Sequence, residues 1–322
     1  MKALILGAGK GTRLYPVTHS FPKPLLPVAN KSMLQYSIEK LAQHEITEIG
    51  IVINPSHELL LKDWIGFGDT WGVKITYIFQ NKPKGIAHAV KEAQDFIGDD
   101  VFLLLLGDNL IFDTLSGLIT PITLKEYHAA LMLAEVKTPQ DYGIVELVDD
   151  KIVSLEEKPT QPKSNLAVLG AYAFSPTIFN AISAIKPSAR GELEITDAIQ
   201  WMIAKGYNVT HFITEKPNID VGTMERWHKA NCMVLDEVNP KDYIHETAVL
   251  DNCQINPPVL VGHDCSIKDS VIGPYVSIGP GSTINGCHLE HSIILNDTHL
   301  KHIENPVKNK VIGYKSIIVS LD

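Results

Sequence analysis

After Pro240 an apolar residue recurs at a near-constant interval. Ile244, Val249, Ile255, Val261, Ile267, Ile272, Ile278 and Ile284 are six residues apart, with two steps of five. Gly262, Gly273 and Gly279 each directly follow one of them. This hexapeptide period is the signature of a β-helix coil. Each short strand sends one aliphatic side chain inward, and glycine or asparagine helps the chain turn. One coil cannot bury its own inner face, so several must stack. The spacing predicts about three coils of roughly three hexapeptides each. It fades after Leu289, where His291–Leu295 and Val311–Val319 are expected to form a cap or a return strand.

The residues before this repeat obey another rule. Strand patterns at Ala3–Leu6, Glu48–Ile53, Val73–Phe79 and Val101–Leu106 alternate with helical ones at Met33–Gln43, Ser56–Ile65 and Ile86–Phe96. In the last of these, Ile86, Val90, Ala93 and Ile97 keep helical spacing. Ile144–Leu147 and Lys151–Leu155 flank Asp149-Asp150, a hairpin signal. Helices resume at Pro176–Ile185, Thr196–Lys205 and Met224–Val238. Apolar strands separated by helices indicate a mostly parallel sheet covered on both faces. The expected fold is therefore α/β: a Rossmann-like mixed, mostly parallel sheet over residues 1–238, then a short β-helix over residues 239–322.

Composition removes several classes of function. A chain of 322 residues, 45% hydrophobic and 20% charged, can build a sizeable core. Its formal net charge of -9 argues against a nucleic-acid polymer as main partner, because wrapping phosphate needs a basic face. A single nucleotide needs only a few local cations. The apolar run Val101–Leu106 is far too short to span a bilayer. Met1-Lys2-Ala3-Leu4-Ile5-Leu6 reads as a strand, not as a signal peptide. Cys232, Cys253, Cys265 and Cys287 form no C-x-x-C pair and read as free thiols of a reducing cytoplasm.

The first strand runs into Gly7-Ala8-Gly9-Lys10-Gly11-Thr12-Arg13. A glycine-rich turn here lets backbone N–H groups approach an anion. The dinucleotide fingerprint needs glycine where Thr12 stands, and the P-loop needs glycine, lysine and a hydroxyl residue in direct succession, so neither applies. The residues beyond the glycines are more specific. Arg13 comes at once, and Phe21-Pro22-Lys23-Pro24-Leu25-Leu26-Pro27-Val28 soon after. The combined pattern resembles the signature of the sugar nucleotidyltransferases. Gln80, Gly85-Ile86-Ala87-His88-Ala89, Leu106-Gly107-Asp108-Asn109 and Tyr142-Gly143 fall in family order. Glu157-Lys158-Pro159, Ser164-Asn165-Leu166-Ala167 and Gly191-Glu192-Leu193-Glu194-Ile195-Thr196-Asp197 look most like glucose-1-phosphate thymidylyltransferases. The added coils resemble their long form, which implies a left-handed β-helix.

The resemblance implies attack by a sugar phosphate oxygen on the α-phosphorus of dTTP, giving dTDP-glucose and pyrophosphate from glucose 1-phosphate; UTP or another sugar phosphate is the near alternative. Such a reaction needs cations, backbone donors and a metal rather than a covalent nucleophile. Leu6, Gly7, Ala8, Gly9, Gly11, Thr12 and Arg13 would cradle the triphosphate, with Arg13 on the departing pyrophosphate. Lys23, aimed by flanking prolines, would meet the α-phosphate. Asp108, at a strand end, and Asp220 would hold one Mg²⁺. Gln80 and Gly85 would recognise the base. Lys158 would hold the sugar phosphate, Glu157 and the Gly143 backbone the sugar hydroxyls, with Gly170, Tyr172 and Arg190 lining the same pocket. The plain alternatives are solvated surface charges for the cations, and caps or turn residues for the aspartates and glycines. The intact Arg13, Lys23, Asp108 and Asp220 set speaks against a regulatory nucleotide-sugar-binding protein, since degenerate relatives tend to lose such residues. No catalytic motif lies beyond Val238, so the coils are expected to serve stability or assembly, and the family favours homo-oligomers.

Overall fold

The computed structural model describes residues 1–9, 11–238 and 243–319. Lys10 of the glycine-rich turn, and residues 239–242 at the expected domain junction, lie outside the described residues. Contacts divide the chain into two compact units. One comprises Met1–Lys10, Pro22–Pro24 and Leu34–Asp220; the other comprises Gly11–Phe21, Leu25–Met33 and Val221–Asp322.

In chain order the strands up to residue 220 are β1 (Lys2–Leu6), β2 (Pro27–Val28), β3 (Lys31–Ser32), β4 (Glu48–Ile53), β5 (Lys74–Phe79), β6 (Phe102–Leu106), β7 (Asn109–Ile111), β8 (Ala129–Glu135), β9 (Gly143–Val148), β10 (Lys151–Glu157), β11 (Leu166–Phe174), β12 (Val209–Ile213) and β13 (Asn218–Asp220). The helices are α1 (Val17–Ser20), α2 (Met33–Gln43), α3 (Glu58–Ile65), α4 (Ile86–Glu92), α5 (Gln94–Ile97), α6 (Ser116–Thr123), α7 (Ile178–Ala184), α8 (Ile195–Ala204) and α9 (Met224–Glu237).

The first unit is built on a nine-stranded sheet with the path β10-β9-β11-β6-β1-β4-β5, to which β8 adds beside β11 and β12 beside β8. Strands β6, β1, β4 and β5 are mutually parallel, and β12 runs parallel to β8. The strands β9, β10 and β11 join in antiparallel fashion. Strand β1 is central because it is apolar on both sides. Leu4 enters a large cluster with Phe102, Leu104, Tyr172 and Phe174, while Ala3 and Ile5, on the opposite face, are equally buried. Helix α8 covers the cluster through Ile195, Ala198, Ile199 and Met202, spaced to share one helical face. Asp149 and Asp150 both take positive φ in the predicted β9–β10 hairpin, as a two-residue turn between twisted strands requires. The helix expected over Ile86–Phe96 divides at Ala93 into α4 and α5.

The second unit contains a left-handed parallel β-helix. Its strands are β14 (Val249–Asp251), β15 (Gln254–Ile255), β16 (Val259–Val261), β17 (Ser266–Lys268), β18 (Val271–Ile272), β19 (Val276–Ile278), β20 (Thr283–Asn285), β21 (His288–Glu290), β22 (Ile293–Ile294), β23 (His299–Lys301), β24 (Val307–Lys308), β25 (Val311–Ile312) and β26 (Ile317–Val319). They stack into three parallel sheets. The coil repeats after 17 residues, pairing Val249 with Ser266 and Ser266 with Thr283, because the steps of five shorten three hexapeptides. Val261, Ile267, Ile272, Ile278, Ile284, Leu289, Ile294 and Leu300 fill its interior. Among the described residues the coils do not stop at Leu289. Strands β22, β25 and β26 extend the same three-sided stack in place of a cap, and only the spacing of the repeat changes, shortening by one residue between β19 and β22 and lengthening in the turn between β23 and β24. Among the described residues no helix is long and apolar enough to cross a membrane.

Candidate active site

Because β1, β4, β5 and β6 are parallel, their carboxyl ends share one edge of the sheet, where open α/β sheets place ligands. Gly7 follows β1, Gln80 follows β5, and Gly107-Asp108 follow β6. The edge is fixed by backbone bonds: Gly7 N–H donates to the Val52 carbonyl at 2.8 Å, and Gly107 N–H to that of Leu6 at 2.9 Å. A Cβ on Gly7 would stand 3.0 Å from the Pro24 ring, so glycine lets the Pro22–Pro24 segment approach the end of β1.

That approach brings Lys23 to the two predicted carboxylates. Its side chain is only 9% exposed, and its ammonium pairs with Asp108 and, at 3.2 Å, with Asp220. Burial alone would lower the Lys23 pKa, but the neighbouring Asp108 and Asp220 charges and hydrogen bonds outweigh it, and the pKa stands above its ordinary value. Asp220 arrives on β13, which pairs antiparallel with β7 so that Asp220 faces Asn109. With its amide turned to satisfy both neighbours, Asn109 donates to Asp108 Oδ1 at 3.1 Å and accepts from Gly170 N–H at 3.2 Å. Asn109 therefore orients the first carboxylate, and Gly170 is held one contact behind it. Sequence reasoning missed Asn109; its position beside Asp108 was the available signal. Asn218, two residues before Asp220 on the same strand face, has a buried Nδ2 without a partner.

The glycine-rich turn is divided between the units. Leu6, Gly7, Ala8 and Gly9 belong to the first, with Gly9 exposed and open space around it. Gly11, Thr12 and Arg13 belong to the second. Gly11 has left-handed backbone (φ 61), its carbonyl accepts from the Thr18 hydroxyl at 2.7 Å, and it opens a single short turn, Thr12–Leu14, on which Thr12 and Arg13 are exposed.

Gln80 is buried, and its Nε2 donates to the Gly85 carbonyl at 3.3 Å and lies 3.0 Å from His88 Nδ1. Gly85 has φ +100, and a Cβ there would come within 2.5 Å of the Leu193 carbonyl oxygen. The glycine is thus required by the packing of residues 191–197 against the start of α4, where Leu193 N–H donates to Lys84 and Ala87 N–H to Leu193.

The predicted sugar-side residues gather on the antiparallel half of the sheet. Gly143 and Glu157 are register partners on β9 and β10, and Lys158 N–H donates to the Tyr142 carbonyl at 2.9 Å. Lys158 has φ 47, and its exposed ammonium lies 3.9 Å from Glu157. Thr196 donates to the other Glu157 oxygen at 3.2 Å. Arg190 is surrounded by carboxylates: Glu194 at 2.9 Å, Glu157 at 3.3 Å and Glu192 at 3.8 Å. Burial, then the Glu194 charge, raise the Glu157 pKa against the opposing pull of Lys158 and Arg190. Tyr172 is a core residue, 4% exposed and stacked on Phe174. Burial, and secondly Glu157, push its hydroxyl pKa up.

Among the described residues no three His, Cys, Asp or Glu side chains gather as a metal site. Asp108 and Asp220 converge on one cationic position. Two carboxylates without further protein ligands suit a hard ion such as Mg²⁺, which keeps waters and takes substrate phosphate oxygens.

A sheet edge carrying a glycine turn, a buried lysine and two carboxylates is equipped to gather phosphates, and comparison with known proteins agrees. Residues 2–237 match the nucleotidyl transferase family. The chain is 37% identical to a low-salt glycan biosynthesis nucleotidyltransferase of Haloferax volcanii, across all of this chain and 95% of that protein. It is 37% identical to a glucose-1-phosphate thymidylyltransferase of Streptomyces antibioticus, across 97% of this chain and 92% of the other. A solved structure assigned to the glucose-1-phosphate thymidylyltransferases, from Bacillus anthracis, is 37% identical with a TM-score of 0.70, over 74% of this chain and 96% of that one. A UDP-glucose pyrophosphorylase complexed with UDP-glucose is 26% identical with a TM-score of 0.65, over 74% and 99%. With the match running through the glycine turn, Lys23, Asp108 and Asp220, the chain belongs to the nucleotidyl transferase family.

Proposed function

We propose that the protein joins dTTP to glucose 1-phosphate, forming dTDP-glucose and releasing pyrophosphate. The observation that carries the reading is the convergence of Lys23, Asp108 and Asp220 at the carboxyl edge of the sheet. The thymidylyltransferase relatives that span nearly the whole chain support dTTP and glucose 1-phosphate as the substrates.

In this reading Lys23 neutralises charge on the α-phosphate as the sugar phosphate oxygen attacks in line. The backbone N–H groups of Gly7, Ala8, Gly9 and Gly11, with Thr12 and Arg13, bind the departing pyrophosphate. Arg13 suits that role because its planar fork bridges two phosphate oxygens. Glu157 and the Gly143 backbone orient sugar hydroxyls, and Lys158 holds the sugar phosphate. Arg190 is committed to three carboxylates and acts mainly by fixing Glu157. Asp108 and Asp220 would hold Mg²⁺, which supplies charge neutralisation on phosphate oxygens when bound. All the residues assigned to the chemistry lie within residues 1–238, ahead of the β-helix strands. Exposed Val249, Ile317 and Val319 on one side of the β-helix support association with further copies, which mass in solution tests.

The test is pyrophosphate release with Mg²⁺ across triphosphates and sugar 1-phosphates. Release should be fastest with dTTP and glucose 1-phosphate. No release with that pair, alongside turnover of another, would replace the substrates; no release with any pair would remove the reading.

A further inference from the structure

Residues 11–33 carry Arg13 and Lys23, and all except Pro22–Pro24 belong to the unit that contains the β-helix. The attachment is specific. Strands β2 and β3 form a hairpin whose turn residues, Ala29 (φ 46) and Asn30 (φ 61), both have left-handed backbone, as a two-residue turn of this hand demands. The Asn30 side chain also reaches the second coil, where its Nδ2 donates to the Ile278 carbonyl at 2.8 Å. The Ala29 N–H donates to Asn231 Oδ1 on α9 at 2.9 Å, and the same oxygen accepts from the Ser277 hydroxyl on β19 at 3.0 Å. Asn231 is 1% exposed and Ser277 fully buried. One turn earlier on α9, the Trp227 indole N–H donates to the Pro27 carbonyl at 2.6 Å. The Phe21 ring meets Tyr314, which follows β25, at 6.2 Å.

Buried asparagine and serine side chains cost free energy unless every polar group is paired, so this network admits one placement of the hairpin. General apolar packing would hold the segment without fixing its register. Gly11–Phe21, which carries Arg13, and Leu25–Met33 thus share one unit with the coils.

We propose that the β-helix is a platform that holds the Gly11–Phe21 and Leu25–Met33 segments, the first carrying Arg13, in one register for nucleotidyl transfer, with Asn30, Asn231 and Ser277 as positioning residues. This rests on the functional reading above. It also gives the coils a part in the chemistry, where the sequence led to a role in stability or assembly. A catalytic group displaced by about 1 Å can cost roughly a hundredfold in rate, so a loosened hairpin should act on turnover before it acts on folding.

The experiment uses the full chain with Asn30→Gly, which suits the left-handed turn but deletes the amide donor, and with Ser277→Ala. Three quantities are read: steady-state kinetics for each substrate, amide hydrogen exchange over residues 11–33, and the melting temperature. Asn30→Gly should lower turnover at saturation by about tenfold with either KM within about twofold, and Ser277→Ala should act in the same direction. Exchange should quicken in residues 11–33 and hold elsewhere. Wild-type turnover in Asn30→Gly, or a loss that tracks a global fall in melting temperature without local exchange, overturns the proposal. The two failures are distinguishable. An inactive wild-type chain removes the functional reading, whereas an active wild type beside an indifferent Asn30→Gly removes the platform.

Discussion

Replacing Lys23 with alanine leaves Asp108 and Asp220 facing each other without their shared cation. Two unit charges about 4 Å apart interact by about 4 kcal/mol at the effective dielectric near a protein surface. Removing one member of a buried ion pair costs roughly 3–5 kcal/mol, mostly through the charge left behind. Here the two carboxylate side chains are 31% and 25% exposed, so water recovers part of that. The expected loss is about 2–3 kcal/mol, a fall of about 5–10 °C in melting temperature for a unit of this size. The same change should lower turnover by about 10²–10³-fold, since a cation is withdrawn from the phosphate undergoing attack. Mg²⁺ should restore more melting temperature to Lys23→Ala than it adds to the wild type, because the pair then binds a divalent ion without a competing ammonium. Thermal melts with Mg²⁺ and with excess chelator, and pyrophosphate release under the same conditions, check all three. A variant that melts and turns over like the wild type would refute the reasoning.

Glu157 gives a pH-dependent outcome. Its pKa is raised, first by burial and then by Glu194, so the folded chain binds this proton more readily than the unfolded chain. Its contribution to stability is present below the ordinary carboxylate range and lost as pH rises through the raised pKa. Glu157→Gln should therefore melt at or above the wild type at neutral pH, with the difference shrinking on acidification, while KM for glucose 1-phosphate rises; a marked loss of melting temperature at neutral pH would contradict the assignment. The two exposed cations should separate by role. Arg13→Ala should depress the chemical step, and Lys158→Ala should raise the requirement for sugar phosphate with dTTP binding little changed. Equal, salt-sensitive losses for both substrates in both variants would mean that each only steers anions into the site.

The sequence made some of this legible and hid the rest for identifiable reasons. Strands β1, β4, β5 and β6 announced themselves as apolar runs between helices, and their parallel order placed Asp108 at a carboxyl edge. Strands β8 and β11 did not, because Ala129-Ala130 and Gly170-Ala171 carry little strand propensity, and only burial between neighbouring strands makes them sheet. Lys23 and Asp220 were found through a motif, but no spacing rule reports that an ion pair will join residues 197 positions apart. Gly85 shows what motif reading leaves out. A glycine read as meeting the base is also demanded by the Leu193 backbone, a contact between distant segments. The hexapeptide period declared the β-helix and then hid its length, because an irregular turn breaks the period without ending the stack. Asn231 gave no signal at all, since a mid-helix asparagine is unremarkable until the Ala29 amide and the Ser277 hydroxyl are brought to it.

The central claim is that Lys23, Asp108 and Asp220 support one direct displacement at the α-phosphorus, with no covalent nucleotidyl-enzyme. The stereochemistry of that phosphorus tests it most directly. A single diastereomer of dTTP carrying sulfur at the α-position is turned over with glucose 1-phosphate, and the configuration of the product is assigned by phosphorus NMR. In-line attack by the sugar phosphate predicts inversion. Retention would require two successive displacements through a protein nucleophile, and would contradict the account.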